Sequence, residues 1–234
     1  MRIITALQIF TVLAWSWAAM PGHAQEETPD HRLRHATETL QEIMRTPDKE
    51  IPRSLLDRSR CIVVVPGMKK AAFIVGGDYG RGFASCRDSR GWSAPAPVGL
   101  AGGSFGLQLG ADETDVVLLV MNERGMKRLL SDKFKIGADA AAAAGPVGRD
   151  AAANTDVLMR AEILSWSRTH GIFAGISLDG TVVEHDNHET EKLYGRPLSG
   201  HEIIEGHVST PAAARGFVAE LDRIAPSHHE VSQR

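Results

Sequence analysis

The stretch between residues 61 and 121 limits most strongly what this chain can fold into. It opens on the β-branched run Cys61-Ile62-Val63-Val64-Val65 and continues through short apolar segments at 71–78, 82–87, 92–100, 104–109 and 116–121. Pro66-Gly67 and recurrent glycines separate them. Segments of this length and punctuation read as strands of a meandering antiparallel sheet. Glycines at bends and close approaches let such a sheet curl. Helical periodicity flanks this region. Leu33, Ala36, Leu40, Ile43 and Met44 share one helical face, with Asp30 as the expected N-cap and Pro47 as the stop. Pro52 opens a second short helix through Leu55 and Leu56. Asn122 is expected to cap a helix reaching Leu130.

Further strands are expected at 162–168 and 172–178, with Asp179-Gly180 as a hairpin turn into 181–183. Helices are expected at 189–194 and at 210–224, the latter with Thr210 as N-cap and Pro211 at its first position. No repeat, linker or internal boundary interrupts the sequence. The fold class is therefore α+β: a single domain over 25–225, with a curled, mainly antiparallel sheet (a partial barrel) flanked by helices. Residues 226–234 read as a disordered tail.

The first residues have a different character. Arg2 precedes an uncharged run from residue 3 to residue 20, ending at Pro21-Gly22-His23-Ala24. Small residues at Gly22 and Ala24 fit a signal-peptidase cut before Gln25. A membrane anchor is the competing reading, but Thr5, Gln8, Thr11, Ser16 and the terminal helix breakers favour a removable signal over residues 1–24. The expected location is the periplasm or cell envelope, without a transmembrane span. The lack of a cysteine near the cut argues against a lipoprotein. Export places Cys61 and Cys86 in an oxidising compartment. Both fall on expected strands of neighbouring hairpins, which favours a disulfide over two buried thiols. Two cysteines without close ligand spacing make a poor metal site.

The full chain carries 26 Lys and Arg against 29 Asp and Glu. Without residues 1–24 it loses Arg2 and no acid, so the mature charge is −4. Whole-molecule attraction to polyanions is absent, and any anionic ligand must meet a local basic patch. Nucleic acid is not an expected partner, because neither a basic stripe nor a nucleic-acid motif is present.

Four blocks, VVVPGMKKAAFIVGGDYGRG, GWSAPAPVGLAGGSFGLQLGADETDVVLLVMN, KIGADAAAAAGPVGR and SRTHGIFAGISLDG, together resemble the SYLF domain. The resemblance covers roughly residues 30–194. It implies a non-enzymatic, cofactor-free domain that binds phosphoinositides or related anionic phospholipids, with actin as a further partner in yeast members. For an exported chain it points to acidic phospholipid at a membrane surface, with an envelope protein partner as the alternative.

The expected lipid-binding residues are Lys69 and Lys70 beside Met68, read as a hairpin tip, with Lys133, Lys135 and Arg149 as further cations. Two lysines near an anionic surface contribute about thirtyfold in affinity, too little for stable attachment alone. The helix over 30–45 is amphipathic, but its polar face mixes Arg32, Arg34 and Arg45 with Glu38 and Glu42 and lacks an aromatic anchor. Packing on the sheet is therefore favoured over lying in a membrane. GGSFG (102–106) matches the nucleophile-elbow pattern at Ser104, yet the residues after it read as strand, not helix, so no catalytic residue is expected. EHDNHETE (184–191) offers His185, Asp186 and His188 to a divalent metal but reads as a polar helix start, and no metal is expected. GPVGR (145–149) could form an anion nest at Arg149, with tight backbone packing as the competing reading.

Overall fold

A computed structural model describes residues 27–45, 50–88, 90–147 and 160–226; the side chains of 70–76 and 104–112 lie outside the description. Its centre is a two-stranded ribbon. Strand β1 (Cys61–Asp88) runs antiparallel to β3 (Ala96–Val120), from Cys61↔Val120 at one end to Ala84↔Ala96 at the other. The short β2 (Gly91–Trp92) folds back on the end of β1.

The meander of short hairpins expected from the glycine spacing is thus replaced by one long hairpin. Pro66-Gly67 is not a turn. The register shifts between Val65 and Met68, Gly67 adopts φ +58°, and its amide donates to Asp115 Oδ1 at 2.9 Å. That is a bulge, where one strand carries an extra residue and the ribbon twists. Lys69 and Lys70 accordingly sit within a strand and not at a hairpin tip.

The ribbon doubles back on itself. Residues 25 apart on an extended strand lie about 80 Å apart, yet the Cα atoms of Cys61 and Cys86 are 3.9 Å apart and their sulfurs are bonded. The two halves of β1 cross at Gly82, where a Cβ would stand 2.0 Å from the Val64 carbonyl oxygen. Only glycine allows this approach. Gly82→Ala should destabilise the domain by about 2–3 kcal/mol through overpacking against backbone. Urea unfolding would measure this, and a midpoint equal to wild type would refute the crossing.

Other strands extend the two halves. β6 (Ile163–Thr169) pairs with the 115–120 end of β3, β7 (Ile172–Gly175) pairs with β6, and β5 (Ala142–Ala144) lies parallel to β6. On the other half, β8 (Val182–His185) pairs with residues 98–101 of β3, and β4 (Lys133–Lys135) pairs with β8. Because β8 joins β3 and β4, Asp179-Gly180 does not close a hairpin with β7. The outcome is a curled, mainly antiparallel eight-stranded sheet.

Side-chain alternation splits the core into two layers. Cys61, Val63, Val65, Val116, Leu118 and Val120 face the inside of the curl, with Val98, Leu100, Phe134, Val183, Ile203 and Ile204. Ile62, Val64, Val117, Leu119, Leu164 and Trp166 face outward and are covered by two helices. These are α1 (Pro29–Arg45), through Leu33, Ala36, Leu40 and Ile43, and α6 (Arg215–Ile224), through Phe217, Leu221 and Ile224. Helix α1 thus packs on the sheet and on α6.

Thr28, not Asp30, caps α1, its Oγ1 accepting from the His31 amide at 3.3 Å with Pro29 as the first helical residue. The short α2 (Arg53–Arg58) follows Pro52, and Asn122 caps α3 (Glu123–Leu129) by accepting from the Gly125 amide at 3.0 Å. Two short helices, α4 (Asn187–Tyr194) and α5 (Gly200–Ile204), follow β8; the sequence pattern alone does not predict α5. Thr210 does not cap α6, since a 3₁₀ turn, Ala212–Ala214, intervenes after Pro211. Among the described residues no helix is long and apolar enough to cross a membrane.

Candidate functional site

The bulge at Gly67, the exposed flank of α1 and the β6–β7 turn enclose a surface trough. One part, of about 480 Å³, is lined by Glu27, Thr28, His31, His35, Gly67, Lys69 and Glu113. A second, of about 330 Å³, shares His35 and Glu113 and adds Asp115, Arg168, His170 and Gly171. Arg34 and Glu38 continue the α1 side.

Each of these side chains is held from a different direction. His31 and His35 are one helical turn apart on α1, with ring centroids 6.5 Å apart, and His31 Nδ1 lies 2.5 Å from Glu27 Oε1. Lys69 stands directly across the ribbon from Glu113. His170 and Gly171 form the β6–β7 turn, both at positive φ (49° and 77°), the geometry of a two-residue hairpin. The hydroxyls of Thr114 and Thr169 hydrogen-bond at 2.8 Å, fixing that turn beside β3. Beneath it, Arg168 Nε donates to Asp115 Oδ2 at 2.9 Å and the guanidinium also pairs with Glu42. Burial pushes the Asp115 carboxyl above the usual carboxylate range, against the pull of the Gly67 amide and His35. One residue beyond the turn, Ile172 is 65% exposed, a large apolar side chain on the surface.

Of the five expected lipid-binding residues, only Lys69 is placed at this trough. Lys133 and Lys135 are exposed on the edge strand β4, reached from β3 through β8, and Lys133 Nζ lies 3.3 Å from Glu184. The Lys70 side chain and all of Arg149 lie outside the described residues; in register, Lys70 faces Asp112.

The remaining motifs have structural uses. Ser104 sits within β3, which continues as strand, so the helix that a nucleophile elbow requires does not follow. In the 184–191 segment, His185 Nε2 contacts the Leu198 carbonyl, Asp186 caps α4 and pairs with Arg81, and Glu189 pairs with Arg32. Among the described residues no cluster is arranged to hold a metal ion. Gly145 packs on the ring of Trp166, whose indole N–H donates to the Pro146 carbonyl at 3.0 Å, so this end of GPVGR is tight packing.

The trough's histidines had no place in the sequence-based site. The available signal was His31 and His35 at a spacing of four on the polar flank of an amphipathic helix. Nothing local connects them with His170.

Residues 101–224 match the family described as "Ysc84: Las17-binding protein actin regulator". The chain is 28% identical over 190 residues to SH3 domain-containing YSC84-like protein 1 of Bos taurus, covering 80% of this chain and 55% of that protein. It is 29% identical over 179 residues to its counterpart in Xenopus laevis, covering 75% and 53%. It is also 29% identical over 179 residues to protein YSC84 of Saccharomyces cerevisiae, covering 75% and 38%. The curled half-barrel with its helical cover is therefore a Ysc84, or SYLF, domain, and the chain belongs to that family. It spans about half the length, or less, of the curated relatives it matches.

Proposed function

We propose that this domain is a non-catalytic binder of anionic phospholipid, exported by a cleaved leader over residues 1–24 and working at a membrane surface of the periplasm or envelope. Support comes from the family and from one local observation: exposed Lys69 and Arg34 line a trough that also gathers three histidines, whose protonation offsets its carboxylates. Lys69 and Arg34 offer charge to head-group phosphates. Ile172, next to Gly171 in sequence but on the opposite sheet face from Arg168 and Asp115, is a separate exposed apolar residue near this end of the sheet. The Cys61–Cys86 bond accords with an oxidising compartment.

Attachment by charge weakens as salt shortens the screening length. Sedimentation with phosphatidylglycerol-containing vesicles should therefore show binding that falls with ionic strength. Lys69→Ala/Lys70→Ala should lower affinity by about thirtyfold, two lysines at about 1 kcal/mol each. A wild-type protein left in the supernatant at low salt, at about pH 5.5 as well as about pH 7.5, defeats the lipid reading and favours a protein partner.

A further inference from the structure

We propose that the trough is the docking site for the phosphates of an acidic bilayer, and that His31, His35 and His170 set its charge so that attachment strengthens as pH falls. This rests on the membrane reading above and adds where the bilayer docks and what controls it.

The three imidazoles arrive from separate parts of the fold, two from α1 and one from the β6–β7 turn, and line two adjoining depressions that share His35 and Glu113. His31 and His170 are exposed and His35 is half-buried. The charged groups facing them come from every surrounding element. Helix α1 and the residues preceding it supply Glu27, Arg34 and Glu38, with Glu42 further along holding Arg168. Arg32, buried between Glu27 and Glu189, forms with Glu189 a pair that adds no net charge. β1 supplies Lys69, β3 supplies Glu113 and Asp115, and β6 supplies Arg168.

With neutral imidazoles, three cations face five carboxylates, an unfavourable surface for a phosphate. Three imidazolium groups turn that deficit of two into a surplus of one. Imidazole is the side chain whose ordinary titration falls between about pH 5 and 8. Burial raises Asp115, so proton uptake there acts in the same direction. Lysines alone could not produce this response.

The test is sedimentation with phosphatidylcholine vesicles containing phosphatidylglycerol, at about pH 5.5 and about pH 7.5. Wild type should bind on the order of 100-fold more tightly at the lower pH, each added charge near the surface contributing about fivefold. His31→Gln/His35→Gln/His170→Asn should lose most of that gain; asparagine suits the left-handed conformation of residue 170. If the half-buried His35 position proves intolerant, His31→Gln/His170→Asn alone should remove about 25-fold. The chain has ten histidines, so acidification raises its charge everywhere. An equal pH response in wild type and variants therefore overturns the gate and leaves membrane binding intact. No wild-type binding at either pH overturns both readings. Equal retention on pure phosphatidylcholine, whose head group has no net charge, overturns recognition of an acidic bilayer.

Discussion

Reduction of the Cys61–Cys86 disulfide is expected to lower the unfolding free energy by about 3.5 kcal/mol, the chain-entropy value for a loop of 25 residues. Both cysteines are buried at the point where the doubled-back ribbon meets itself, and the loop they close is β1. Without the bond, the unfolded ribbon regains the freedom to open. The folded ribbon keeps its crossing only through backbone pairing, the Arg87 amide donating to the Arg60 carbonyl at 2.7 Å, and through core packing. For a domain of this size the loss corresponds to a fall in melting temperature of roughly 7–14 °C. Paired denaturation curves with and without reductant measure it, with Cys61→Ala/Cys86→Ala as a reductant-independent check. Coincident curves would mean that the crossing does not constrain the chain.

The same crossing separates what the sequence makes legible from what it does not. Helix α1 is readable because Leu33, Ala36, Leu40 and Ile43 recur with the helical period, and that stripe is the face that packs. The strand character of 61–65 and 116–120 is equally plain; two cysteines on neighbouring expected strands only favour a bond over two buried thiols, and the structure shows the bond. The ribbon's length is not, because Pro66-Gly67 and Gly82 carry the local chemistry of turns. Their actual uses, a bulge and a close approach between strand halves, depend on contacts absent from any local window. The candidate site divides in the same way. Met68-Lys69-Lys70 stands out in the sequence, whereas its opposition to Asp112 and Glu113 is set by the register of a strand some forty residues away. Lys133 likewise meets Glu184 only because β4 adds to β8.

Arg32→Met is expected to cost about 4 kcal/mol, the middle of the range for breaking a buried ion pair from one side. Arg32 and Glu189 are 5% and 1% exposed, and their side chains pair across α1 and α4. The guanidinium is also tied to the Glu27 carbonyl at 3.0 Å and to its carboxylate at 3.3 Å, whereas Glu189 Oε2 is buried and accepts no hydrogen bond among the described residues. Burial pushes the Glu189 carboxyl up, and Arg32 is the principal group pulling it back. Removing Arg32 leaves the burial and deletes the pull, so the folded variant favours the protonated acid. A carboxyl whose folded-state pKa lies above its unfolded value of about 4.3 adds stability as pH falls through the folded pKa and loses it as pH rises. The single variant should therefore recover part of its loss between about pH 7 and pH 5, a gain that wild type does not match. Replacing both partners, Arg32→Met/Glu189→Leu, removes the stranded carboxylate and should restore most of the stability at neutral pH. Urea titrations of the three proteins at the two pH values decide the matter. A double variant as unstable as Arg32→Met at neutral pH would show that the loss comes from packing around α1, not from an uncompensated buried charge.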